Sequence, residues 1–321
     1  MRWQRSPSER RDTLMELILQ QVVVIVGVLA ACFAGPALAF GFLVMRKRRA
    51  RARRRSPIGI DMLRGPGHTL REKLEEMNAD VLTDVFVLMV MPLLLLATFL
   101  AQSHQRGQQG MLHLVPIYIV LALGVVFVVV YRLWKKGEQL DKLKAGYDAE
   151  LAVGQELDQL MRQGAITFHD IPADNFNIDH VVVSSEGVFA VETKGFTKLK
   201  QGRGKADATV VFDGKLLKFP TWTTNDPLEQ AVRQAAWLAK WLSSSVGTQV
   251  HVLPVVALPG WFVERTGRGE VRVYNGKELA GLLKSRRAQP LSPQDVQRVA
   301  HQIDQRCRTV APKYAEEERA S

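Results

Sequence analysis

Residues 177–194 read NIDHVVVSSEGVFAVETK, and this stretch decides how the C-terminal half of the chain folds. Valines stand at neighbouring positions on both sides of Ser184-Ser185-Glu186-Gly187. Side chains alternate between the two faces of a strand, so apolar residues at consecutive positions predict strands buried on both sides. The Ser-Ser-Glu-Gly quartet predicts the turn that joins them. With the loop centred between Ser185 and Glu186, Val183 faces Val188 and Asp179 faces Glu192. Directly opposed side chains share one face of the sheet, with Cβ atoms roughly 5 Å apart. Lys194, two residues beyond Glu192, lies on that face too. An odd loop or a bulge would slide the pairing by one residue, so the register is an expectation.

Two carboxylates opposed between apolar strands repel one another unless a cation lies between them. Mg²⁺ suits such a place, because it takes oxygen ligands, uses one or two carboxylates and keeps several waters; Mn²⁺ is the second candidate. A metal held there polarises a phosphate oxygen and activates a bound water. Lys194 beside it can stabilise the charge that develops. The bland alternative is a buried ion pair of Lys194 with Asp179 or Glu192, which leaves one acid uncompensated.

Outward from this hairpin the pattern is that of a mixed α/β domain. Upstream, GYDAELAVGQELDQLMRQG (146–164) reads as an amphipathic helix with Val153, Leu157, Leu160 and Met161 on one face. At ~100° per residue Glu150 falls within about 20° of Leu157 and Met161. It therefore points along the apolar stripe, where an unpaired carboxylate is costly, while Glu156 falls to the side. A plain alternative for Glu150 is a helix-start acid favoured by the helix dipole. His169 and His180 read as packing or hydrogen-bonding residues rather than ligands. Downstream, KGFTKLKQGRGK gathers Lys198, Lys200, Arg203 and Lys205 in a glycine-rich segment. That segment is either a solvated hairpin or a track for a phosphate backbone.

A second helix follows, with Asp226 as its expected N-cap and Pro227 at its first position. Gln230, Gln234, Trp237 and Trp241 run beside its apolar stripe, the tryptophans as core-edge packing. Val250–Leu258 and Val271–Tyr274 predict two more strands, and Ser292-Pro293 opens a last helix through Val296, Val299, Ile303 and Cys307. Residues 311–321, with the run AEEERAS, read as a disordered tail.

The N-terminal part is different. Three segments, about 22–45, 82–101 and 112–134, are apolar enough to cross a bilayer, and the first has no charge across 24 positions. Residues 85–101 and 112–131 carry no Asp, Glu, Lys or Arg, which suits anchors better than an ion path. The run RKRRARARRR, eight of ten residues basic, follows the first segment. Positive loops stay cytoplasmic, so the N-terminus is expected outside and the C-terminal domain inside, at the inner membrane of a bacterium. Ala37-Leu38-Ala39 resembles a signal-cleavage site, but the basic run just beyond it opposes translocation. Of the net charge of +11, most belongs to residues 1–145, with 21 Lys/Arg against 11 Asp/Glu. The high pI thus speaks for membrane orientation more than for a nucleic-acid surface. Cys32 and Cys307 lie far apart, with no disulfide framework and no Cys/His cluster at metal spacing.

Asp179 followed by Glu192-Thr193-Lys194 resembles the D…(D/E)xK core of restriction-endonuclease-like nucleases, the PD-(D/E)xK superfamily. Together with Gly146-xxx-Glu150, His169-Asp170 and Pro227-Leu228-Glu229-Gln230-Ala231, it closely resembles the nuclease-related domain, NERD, over residues 146–285. The resemblance implies a mixed sheet flanked by helices with the hairpin at its centre. It makes Asp179 and Glu192 metal ligands, with the Thr193 carbonyl as a third, and Lys194 the catalytic lysine. Glu150 would complete the acidic site and Gln230 would approach it from the second helix. The expected organisation is thus a membrane region over 1–134, a juxtamembrane linker over 135–145, the nuclease-related domain over 146–285, a C-terminal helix over 286–310 and the tail. The expected activity is metal-dependent hydrolysis of phosphodiester bonds, in DNA first and RNA second. The competing expectation is a non-cleaving module that tethers nucleic acid to the bilayer.

Overall fold

The computed structural model describes residues 57–111, 115–198, 204–284 and 288–312, together with Leu38, residues 41–46, Arg49 and Gly202. Most of the expected first span, 22–45, and of the tail, 311–321, lies outside the described residues. After a two-residue strand β1 (Met62–Leu63) come two long helices, α1 (His68–Met111) and α2 (Val115–Asp158). By length and composition each holds a stretch apolar enough to cross a membrane, and almost none of either stretch is buried within the protein. Leu93, Leu96, Leu123 and Phe127 are all exposed. Residues 135–145, expected as a linker, are helical as part of α2.

Contacts divide the chain into two compact units. One contains Met77–Glu138. Within it the buried Asp84 of α1 pairs with Lys136 at 2.8 Å and Arg132 at 3.1 Å, both on α2. A buried carboxylate needs such partners. The other unit joins Ser56–Glu76 to the chain from Gln139 onward, so it takes in more than residues 146–285.

At the centre of the second unit is a five-stranded mixed sheet. In chain order its strands are β2 (Ile166–Pro172), β3 (Asn177–Ser184), β4 (Gly187–Thr193), β8 (Val252–Ala257) and β10 (Arg272–Tyr274), and their order across the sheet is β10-β8-β4-β3-β2. β2, β3 and β4 pair antiparallel, whereas β4, β8 and β10 run parallel. A parallel neighbour requires a crossover, and α3 (Asp226–Val246) lies within the one from β4 to β8. Every residue of β4 is buried, as expected for a central strand. Val181, Val183, Val188 and Ala190 pack with Leu238 and Leu242 of α3 and Val299 and Ile303 of α4 (Pro293–Cys307). Val182, Phe189 and Val191 pack the other way, with Val153 and Leu157 of α2. Full burial of each such side chain is worth about 1.5–3 kcal/mol.

Three local expectations are revised. α2 gives way to a 3₁₀ turn at Gln159–Gln163, and the changed phase leaves Met161 56% exposed, outside the core stripe. The N-cap of α3 is Asn225, and Asp226 stands in the first turn, where the helix dipole favours its charge. A small four-stranded sheet, β7-β6-β5-β9, also lies between the hairpin and β10, built from strands of two to four residues. Its members are β5 (Thr209–Phe212), β6 (Leu217–Lys218), β7 (Thr223–Thr224) and β9 (Phe262–Arg265). The last helix opens as expected, with Ser292 Oγ accepting from the Asp295 N–H.

Residues 57–76 are held to the sheet domain by long-range contacts. β1 pairs antiparallel with β11 (Arg308–Val310), and Pro66 packs where a Cβ on Gly154 would lie, at 2.6 Å. Gly195, just past the β4 strand, has the same need for closeness: a Cβ there would stand 2.5 Å from the Ala145 carbonyl oxygen and 2.8 Å from Ala149 Cβ on α2. The expected cost of Gly195→Ala is about 1–3 kcal/mol, read as a lower unfolding midpoint of the full chain in detergent; a variant as stable as the wild type would show that α2 and the end of β4 need not approach so closely.

Candidate active site

The β3–β4 ladder pairs His180 with Val191 and Val183 with Val188. This is the register expected from the turn; the ladder ends at His180–Val191, and its register continued by one step sets Asp179 opposite Glu192. Both lie on the face covered by α3. Asp179 Oδ2 accepts the Thr193 N–H at 2.7 Å. Glu192 is 2% exposed. Its Oε2 accepts from Gln234 Nε2 at 2.6 Å, and its Oε1 lies 2.6 Å from the Lys194 ammonium. Lys194 also donates to Gln230 Oε1 at 3.0 Å.

The ion pair of the bland alternative is therefore present, and it compensates Glu192 only. Asp179 keeps a backbone N–H as its partner. Burial, followed by the negative charges of Glu192 and Glu150, holds its carboxyl well above the usual carboxylate range. Glu150 is half-buried on α2. Burial first, then Asp170 and Glu192, push it up to about 7, against the opposing pull of Lys194 and Lys73.

Two residues without an expected role belong to this neighbourhood. Gln234, one turn beyond Gln230 on α3, is 2% exposed and also donates to the Asn177 carbonyl at 3.2 Å. Its Oε1 has no hydrogen-bond partner among the described residues. The four-residue spacing that places Gln230 at the site also names Gln234. Asp170, on β2 between the pairs His169–His180 and Ile171–Ile178, stands across from Asp179 with φ at 50°. It is buried and accepts from the Thr69 N–H at 2.9 Å, the Thr69 hydroxyl at 2.7 Å, Asn177 Nδ2 at 3.0 Å and Arg64 at 3.2 Å. Arg64 and Thr69 are about a hundred residues away in sequence, and no local pattern announces them.

Other expectations resolve simply. His169 and His180 are buried and bonded to each other at 2.9 Å, and His169 meets Asp158 at 3.1 Å, so both act in packing and hydrogen bonding. Burial holds the His180 ring well below the usual histidine range. Trp237 and Trp241 stack on each other with Arg306 over both rings. In the basic segment Lys198 bonds the Gly260 carbonyl and Lys205 stands over the Phe262 ring, while Lys200 and Arg203 lie outside the described residues.

Among the described residues no group of three or more His, Cys, Asp or Glu side chains converges as a preset metal cage. The donors at hand are the carboxylates of Asp179 and Glu192 and the orphaned buried Gln234 Oε1. Hard oxygens, few of them anionic, fit Mg²⁺ or Mn²⁺ rather than a soft metal. Glu150 acts on this pair through its charge.

Residues 145–259 match the sequence model of the NERD family, described as nuclease-related domain. The match is less than half of the chain; it spans Glu150, Asp179, Glu192, Lys194, Gln230 and Gln234 and stops short of residue 285. No curated protein matches the chain, and no solved structure does.

An acid whose proton is held more tightly in the folded than in the unfolded state loses folding free energy as pH rises between the two pKa values. In chelator, the unfolding midpoint of the full chain should therefore fall from about pH 4.5 to about pH 7, and fall less in Glu150→Gln. Equal losses in the two proteins would show that Glu150 is not held protonated.

Proposed function

We propose that the chain is a membrane-anchored, metal-dependent nuclease that hydrolyses phosphodiester bonds, in DNA before RNA. The observation that carries this reading is the opposition of Asp179 to Glu192 with Lys194 on the same site. A Mg²⁺ ion held by Asp179, Glu192 and the Thr193 carbonyl, with Glu150 close by, would supply Lewis-acid polarisation of the phosphate and an activated water. Gln234 fixes one oxygen of Glu192 and Lys194 meets the other, so this carboxylate is oriented before any substrate arrives. Thr193 N–H does the same for Asp179. The ammonium of Lys194, steadied by Gln230, would stabilise the negative charge that builds on the phosphate as water attacks and the P–O bond breaks. Glu150 can hold a proton near neutral pH and release it as charge at the site changes.

Two apolar helices and the distribution of basic residues suit an anchor at a bacterial inner membrane with this domain on the cytoplasmic side. A C-terminal reporter active only in the cytoplasm is expected; activity confined to the periplasm would reverse the orientation.

The activity test uses the full chain in detergent, because residues 57–76 pack on the domain and a fragment without them would uncover Asp170. Plasmid, linear DNA and RNA are offered with Mg²⁺, with Mn²⁺ and with chelator. Cleavage should require the metal and fall roughly 10²–10³-fold in Lys194→Ala, and Asp179→Ala should abolish it. Nucleic acid bound without cleavage, and equally by both variants, would make this a tether and not an enzyme.

A further inference from the structure

The residues just beyond Lys194 lead to an aromatic cluster that belongs to a third hydrophobic core, with Val210, Leu228 and Leu258, and carries one large ring to the surface. Phe196 follows Lys194 by two positions, a Cα separation of at most about 7 Å. Its ring packs edge-on against Phe219 at 5.2 Å and against Trp222 at 4.8 Å. Phe219 in turn stacks on Trp222 with centroids 4.0 Å apart and planes 10° from parallel. Trp261 closes the cluster against Phe219 at 4.9 Å, and its indole N–H donates to the Phe196 carbonyl at 3.1 Å.

Phe219 and Trp261 are buried, but Trp222 is 38% exposed. Trp222 is thus the ring of this cluster that reaches solvent. Trp222 is also held against turning: Phe219 lies flat against it, Phe196 abuts it, and its carbonyl accepts the Phe219 N–H at 2.8 Å. The exposed Lys198 lies 5.7 Å from the centre of the Trp261 ring, and Lys205 lies 4.8 Å from that of Phe262 on β9.

A part-exposed indole, packed in a cluster whose Trp261 also meets the exposed Lys198, has the chemistry that receives a nucleobase and its phosphate. In a duplex the faces of the bases are already stacked on their neighbours, so only an unpaired base can offer one. We propose that the site takes single-stranded nucleic acid, or strands with unpaired ends, and that one base stacks on Trp222 while the backbone runs on to Lys194. This rests on the nuclease reading above for its substrate, and it differs from it in being a statement about binding.

Binding is therefore measured without cleavage, on the full chain in detergent with chelator. The probes are a fluorescein-labelled 12-nucleotide DNA single strand and a blunt duplex of the same sequence, followed by anisotropy. The wild type should prefer the single strand. Trp222→Ala should weaken single-strand binding roughly tenfold, Trp222→Phe should keep most of it, and neither should alter the duplex. A strand carrying 5-iodouracil, irradiated in the complex, should crosslink to Trp222 in the wild-type protein, which covers the case of an unstable alanine variant. Duplex preference, unchanged binding in a folded Trp222→Ala, or crosslinks confined to other residues would each overturn the proposal. Metal-dependent cutting with any of those results would leave the nuclease reading standing; Trp222-dependent binding with no cutting would remove that reading and leave the platform.

Discussion

Two carboxyl groups opposed on one face of a buried antiparallel pair are the constraint around which this domain is arranged. Apolar burial on both sides fixes β3 and β4 at the centre of the sheet, and their register leaves Asp179 and Glu192 no choice but to face each other. A carboxylate in such surroundings is costly unless it is bonded, paired or protonated. Glu192 is bonded and paired through Gln234 and Lys194. Asp179 is bonded once and retains its proton to unusually high pH. That asymmetry, with one acid paired and the other not, is what the proposed cation site rests on.

The surrounding elements serve the same geometry. Gly195 lets the end of β4 pass against α2, which brings Glu150 near the pair. α3 sets two glutamines one turn apart over the carboxylates. On the outer side of β3, Asp170 gathers Arg64 and Thr69, so the opening turn of α1 is tied beside the strand that carries Asp179. The segment that leads into an apolar helix is in this way part of the domain wall.

Much of this was legible in the residues, and the reasons for the rest are physical. Period-two alternation and an even turn were enough to set the Asp179–Glu192 register, and helical phase brought Glu150 toward the apolar stripe. Gln234 stood in the same stripe as Gln230 but carried no charge to draw notice. The contacts of Asp170 with Arg64 and Thr69, and the β1–β11 pair, join residues too distant for any periodicity to connect. Strands of two to four residues, as in the small sheet, hold too few alternations to register as a pattern. Met161 was misplaced because a 3₁₀ turn advances the helical phase. The high pI, the most visible number in the composition, says more about the basic run at the first apolar segment than about nucleic acid.

The opposed pair is proposed as a cation site, and the most direct measurement of it is Mn²⁺ binding to the full chain in detergent, followed by electron paramagnetic resonance. The expected result is a bound-Mn²⁺ signal that Mg²⁺ displaces and that disappears in Asp179→Asn, which keeps the shape of the side chain and removes its charge. Equal Mn²⁺ binding by the wild type and Asp179→Asn, or none by either, would contradict it.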